Sequence, residues 1–165
     1  MHKEIENLIK EVEECAKEVY QELGSGWDEK IYQKAMEIAL RERGIDYEEQ
    51  RVLPVSFKGH IVGEGYPDLI VWLKKNKKRI GVIIDLKSTS EIQEDHRAQV
   101  AKYIQELKKQ LKENEEVYPV GFIFDFTKPP SKKIKDGIDD RGGLKILRVE
   151  VKVNSKESNE SLKIN

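Results

Sequence analysis

Three side chains stand out as able to do chemistry together. Asp68 follows Pro67 and precedes the apolar run Leu69-Ile70-Val71. Asp85 ends a second apolar run, Val82-Ile83-Ile84, and Lys87 lies two residues further on. Carboxylates in such segments carry a large desolvation penalty unless something pairs with them. A divalent cation is the natural partner. If the two segments are neighbouring strands, both carboxylates can converge on one ion. Asp85 and Lys87, two apart on a strand, point to the same side. Leu86 points to the other side, into the core, and can leave its backbone carbonyl near the metal. Oxygen ligands suit Mg²⁺ or Mn²⁺ rather than zinc. An ion held this way beside an ammonium group is equipped for phosphodiester hydrolysis, because it binds a phosphate oxygen and lowers the pKa of water. Lys87 would position that water or stabilise charge in the transition state.

Pro67-Asp68 … Asp85-Leu86-Lys87 resembles the signature of the PD-(D/E)XK nuclease superfamily. Gln99-Val100-Ala101-Lys102-Tyr103 resembles the QxxxY motif of its RecB-like branch, on the helix after the lysine strand. Gly26-Trp27-Asp28-Glu29-Lys30-Ile31-Tyr32 is similar to GxxExxY, which names a small family of that superfamily. In that family a His often lies three before the Gln, as His96 does here. The resemblance spans roughly residues 5–126. It implies an α/β, restriction-endonuclease-like core: a central mixed β-sheet flanked by α-helices, with the site at one edge of the central strands. It implies that Glu29 joins the metal site, directly or through water. It also implies that Gln99 and Tyr103 orient Lys87 and touch the nucleic acid, with His96 beside them. Gln99 and Tyr103 are one helical turn apart and share a face. Position 85 is Asp where relatives often carry Glu, which shortens the ligand. Cys15, the one cysteine, cannot hold the iron–sulphur cluster of the CRISPR-associated RecB-like exonucleases, so that subgroup is excluded.

The elements that must position these residues follow from periodicity. Residues 4–22 carry Ile5, Leu8, Ile9, Val12, Ala16 and Val19 at helical spacing, and Gly24-Ser25-Gly26 ends that helix. Residues 28–43 repeat the pattern, and Gly44 sits where a C-cap glycine belongs. The period then changes. Residues 52–58, 65–73 and 80–86 read as three strands of an antiparallel meander, the third apolar enough to be central. Residues 92–113 form a long helix, and 117–126 another buried strand. Residues 144–153 alternate apolar and charged positions and read as an edge-type strand. The expected organisation is one domain over residues 1–153, with a polar, disordered tail over 154–165.

Composition bounds the function classes. Of 165 residues, 38% are hydrophobic and 37% charged, yet 30 Lys and Arg nearly cancel 31 Asp and Glu, for a net charge of −1. That excludes a polyelectrolyte tail and a uniformly basic nucleic-acid coat. The N-terminus opens into charged helix without a signal-peptide h-region, and no window holds about 18 apolar residues, so no membrane partner and a cytoplasmic setting are expected. The run Lys74-Lys75-Asn76-Lys77-Lys78-Arg79 reads as a solvated hairpin turn, at the end of the sheet opposite Lys87. Lys132, Lys133, Lys135 and Arg141 form a better candidate substrate-side loop. Tyr32 and Trp72 read as core; Tyr66 and Ser88 read as local structure beside the site.

The expected activity is metal-dependent hydrolysis of phosphodiester bonds in DNA, with Mg²⁺ or Mn²⁺ as cofactor. Asp68, Asp85 and Glu29 with the Leu86 carbonyl would hold the ion, and Lys87 would assist. RNA remains open as a substrate, and so does a homodimer, since many two-strand cutters dimerise. The alternative is a non-catalytic module that keeps the nuclease fold and binds nucleic acid or protein. A complete acid–acid–lysine set counts against it.

Overall fold

The computed structural model describes residues 2–89, 91–127, 143–152 and 163–164. Two helices come first, α1 (His2–Leu23) and α2 (Glu29–Glu42). Then follow β1 (Asp46–Glu49), β2 (Leu53–Phe57), β3 (His60–Gly65), β4 (Leu69–Lys75) and β5 (Lys78–Lys87). Helix α3 (Glu94–Gln110) leads to β6 (Glu115–Val117), β7 (Val120–Phe126), β8 (Leu144–Lys152) and β9 (Lys163–Ile164). The main sheet has the order β1-β4-β5-β7-β8-β9, with β6 paired to the first part of β5. Strands β5 and β7 are parallel and the other pairs along that order antiparallel, so the sheet is mixed. Helix α3 makes the crossover that parallel strands require.

The alternation of side chains along the strands feeds two cores. Val82, Ile84 and Leu86 of β5 face one side with Phe122, Phe124 and the apolar stripes of α1 and α2. Ile83 faces the other side with Ile70, Trp72, Ile123 and the stripe of α3. A strand buried on both faces needs the near-continuous apolar run that β5 shows. Helix α3 comes close to the sheet because Gly121 lies beneath it: a Cβ there would sit 2.7 Å from Val100 Cγ1.

The expected meander is corrected in its first strand. Residues 53–57 do not join the main sheet; β2 pairs only with β3, in a separate hairpin turned by Lys58-Gly59. Both turn residues have positive φ, 50° and 80°, as a tight two-residue hairpin turn requires. Only Leu53 of β2 is buried, too little apolar surface for a place inside a sheet. The position beside β4 is filled by β1, whose Asp-Tyr-Glu-Glu sequence gives no apolar alternation to read. The basic run narrows to a two-residue turn, Asn76-Lys77, with its flanking lysines paired in β4 and β5. Strand β8 is not the last of the sheet, since Lys163–Ile164 pairs with it. The rest of the expected tail and the Lys132–Arg141 loop lie outside the described residues.

The link between α1 and α2 is held by Tyr32. Its hydroxyl donates to the Gly24 carbonyl at 2.6 Å and accepts the Trp27 amide at 3.3 Å. Its ring stacks on Phe126 with centroids 4.3 Å apart. Asp28 caps α2 by accepting the Lys30 amide at 3.2 Å, which leaves Glu29 as the first helical residue. Tyr32→Phe keeps the stack and removes both hydrogen bonds. It should cost about 1 kcal/mol, read as a lower urea midpoint at unchanged slope.

Candidate active site

Backbone pairing between β4 and β5 ends at Leu69 opposite Ile84. Beyond that point the two aspartates continue the exchange with their side chains. The Asp68 amide donates to Asp85 Oδ1 at 3.0 Å, and the Leu86 amide donates to Asp68 Oδ2 at 2.8 Å. The N–H and C=O of a strand residue point to the same neighbour, so the Leu86 carbonyl faces the Asp68 side as well. Asp68, Asp85 and Lys87 share the face of the sheet covered by α3, as their parity with Ile70 and Ile83 requires.

The pair is electrostatically frustrated. Asp85 is 3% exposed. Burial first, and then the neighbouring Asp68 charge, pushes its carboxyl up to about 7. Burial raises Asp68 too, against the lowering effect of the Leu86 amide, Gln50 and Lys87. The missing complement to two converging carboxylates is positive charge. Every donor here is an oxygen, which fits a hard divalent cation. Among the described residues, no group of three His, Cys, Asp or Glu side chains closes around a metal position. The groups here that could hold such an ion are the two aspartates and the Leu86 carbonyl. Glu29 is close enough for its charge to raise Asp85, yet it does not complete a three-acid cluster.

The helix residues divide. The Tyr103 ring packs on Gly65, where a Cβ would sit 2.6 Å from Cε1. Burial first, then the Asp85 charge, raises the Tyr103 hydroxyl, which lies at the Tyr66 amide. Gln99 lines the same groove one turn earlier. No hydrogen bond joins Gln99 or Tyr103 to Lys87 among the described residues. His96 acts locally, at the start of α3, where its Nδ1 accepts the Gln93 amide at 3.1 Å.

Four supporting residues escape a sequence reading. Gln33 Nε2 donates to the Asp68 carbonyl at 3.0 Å, and Gln50 Nε2 to Asp68 Oδ1 at 3.2 Å. Ser88, read from sequence as local structure, links two site segments. Its hydroxyl donates to the Trp27 carbonyl at 2.9 Å and ties the exit of β5 to the loop before Glu29. Asp125, fully buried opposite Lys87 on β7, accepts both the amide and the hydroxyl of Thr89, at 3.0 and 3.3 Å. The i, i+4 spacing of Glu29 and Gln33 is the one signal that could have linked either to the site.

A family model described as the PD-(D/E)XK nuclease superfamily matches residues 6–136. The chain belongs to the PD-(D/E)XK nuclease superfamily. No curated protein and no solved structure matches it. Membership agrees with the mixed sheet flanked by helices, and it suggests nuclease activity on a nucleic acid. PD-(D/E)XK nucleases generally use divalent metal ions, in keeping with the oxygen donors at Asp68 and Asp85. No helix of the described residues is long and apolar enough to cross a membrane.

The raised Asp85 carboxyl sets a pH dependence. Between its ordinary 3.8 and about 7, the folded chain holds a proton at Asp85 that the unfolded chain has released. The unfolded state then binds fewer protons, and stability falls as pH rises through that window. Without divalent ions, the parent should lose stability relative to Asp85→Asn across this range, as followed by thermal melting. A difference independent of pH would show that Asp85 titrates normally.

Proposed function

We propose that this chain is a metal-dependent nuclease that hydrolyses phosphodiester bonds in DNA, with Mg²⁺ or Mn²⁺ as the ion. The reading rests on one observation above the others. The buried Asp85 carboxylate and the half-buried Asp68 carboxylate stand together where the β4–β5 pairing ends, with a lysine two residues further along the same face. Within the superfamily we place it in the RecB-like branch and the GxxExxY family, on Gly26–Tyr32 and Gln99–Tyr103.

In this mechanism Asp68, Asp85 and the Leu86 carbonyl would hold the ion, with Glu29 assisting. The bound ion supplies Lewis-acid activation of water and neutralises charge on the scissile phosphate. The Lys87 ammonium orients the attacking water and stabilises charge that develops on the phosphate oxygens. Gln33 and Gln50 hold Asp68 in place from two directions, and Ser88 holds the Glu29 loop. Gln99, Tyr103 and His96 face the nucleic acid. The setting is the cytoplasm.

A second reading has one observation in its favour. No third side-chain ligand closes on the acid pair among the described residues. A module that binds nucleic acid or protein through this fold, without turnover, would need none. Metal titration separates the two readings. For a nuclease, Mg²⁺ or Mn²⁺ should raise the melting temperature in proportion to site occupancy. Asp68→Ala and Lys87→Ala should each cut Mg²⁺-dependent cleavage of labelled oligonucleotides by at least about a hundredfold, with the fold retained. Cleavage by either variant at the parent rate refutes the mechanism.

A further inference from the structure

A groove of about 620 Å³ runs between the β2–β3 hairpin and α3. Its volume lies within the range of small-molecule pockets. Leu53 and Val55 contribute an apolar wall, and Tyr66 and Tyr103 add two aromatic rings. Tyr66 is 46% exposed, and its hydroxyl donates to Glu64 Oε2 at 3.1 Å. The hairpin is held over α3 by the fully buried Leu53 and by a bond from Gln110 Nε2 to the Val52 carbonyl at 3.3 Å. The groove adjoins the acid pair: Gly65 and Tyr66 line it, and Asp68 follows Tyr66 by two residues.

The charge of the lining decides what fits. Glu64, Asp95 and Glu106 outnumber Lys102. Glu106 is paired with Lys109 at 3.1 Å, and the remaining excess of carboxylate disfavours a phosphodiester backbone. Carboxylates accept N–H donors, and nucleobase edges present such donors. Apolar and aromatic walls take the faces of bases, which stack on side chains without regard to sequence. A base can enter only if it is unpaired.

On the nuclease reading above, we propose that this groove binds the base of an unpaired nucleotide beside the scissile phosphate. The acid pair then acts on single-stranded segments, flaps or ends in preference to closed duplex. Tyr66 is the residue that sets this preference. The base stacks on its ring while the adjoining phosphate lies at the ion position that Asp68 and Asp85 would hold.

The test is binding by the full chain with Ca²⁺ in place of Mg²⁺, read by fluorescence anisotropy. The probes are a single strand containing 2-aminopurine, the matching blunt duplex, and a single strand with one abasic residue. The parent should favour the intact single strand over the duplex and over the abasic strand, and should quench the 2-aminopurine. Tyr66→Ala should weaken single-strand binding about tenfold and abolish the quenching. Val55→Asp, which places a charge in the apolar wall without touching Tyr66, should do the same. Equal affinity for strand and duplex, or variants that bind like the parent, overturns the proposal. So does a groove filled by a second copy, seen as dimers that Tyr66→Ala dissociates. Mg²⁺-dependent cleavage without strand preference sinks the groove and leaves the nuclease reading intact. Tyr66-dependent strand binding without any cleavage does the reverse.

Discussion

The candidate site depends on an exchange at the open end of one strand pair. Where backbone pairing between β4 and β5 stops, each aspartate accepts an amide from the other strand. Two groups that repel are thereby fixed against each other, Asp85 buried and Asp68 half-buried. Unpaired charge in such surroundings raises the pKa of a carboxyl or demands a cation. The strand ends hold two like charges together because their carboxylates replace the partners that the missing ladder would have supplied. The same groups thus serve the backbone and the proposed metal.

Everything around the pair serves to hold that exchange rigid. Helix α2 presents Glu29 and Gln33 on one face, with Asp28 fixing where the helix starts. Ser88 and Asp125 fasten the chain as it leaves β5, one to the Trp27 loop and one across to Thr89. Gly121 lets α3 approach the sheet, and Gly65 lets the Tyr103 ring lie flat against the β3 end. The two cores on either side of β5 keep its last residues from shifting along the strand. A ligand pair of this kind needs support within about 0.5 Å to stay productive.

Much of this was legible in the sequence, for identifiable reasons. Asp68, Asp85 and Lys87 are conspicuous because charge interrupts apolar runs. Helices α1, α2 and α3 show their periods plainly. Strand β1 was hidden because its half-buried positions are Tyr47 and Glu48, the latter paired with Arg51, Arg79 and Trp72 Nε1. Residues 52–58 looked like a strand of the main sheet, and 60–64 went unread as a strand, because the apolar residues of this hairpin stay exposed and alternation there did not mark a core face. Gln33, Gln50 and Asp125 act on partners 35, 18 and 36 residues away. No local pattern encodes such contacts. The basic run is not a free patch in full, since Lys74, Lys75 and Arg79 are in ion pairs with Asp46, Glu4 and Glu115.

The topology of β4 and β5 bears on the order of assembly. They are joined by a two-residue turn, so their hairpin can form within microseconds from local chain alone. The roof over the acids comes later, because β7 and α3 must first be made and must close a long-range parallel pairing. While the hairpin stands alone in water, its two carboxylates repel only weakly. The electrostatic penalty falls due at the last docking step, when α3 expels water from their face. An ion arriving then would offset that penalty, and a chain without one offsets it by keeping the Asp85 proton.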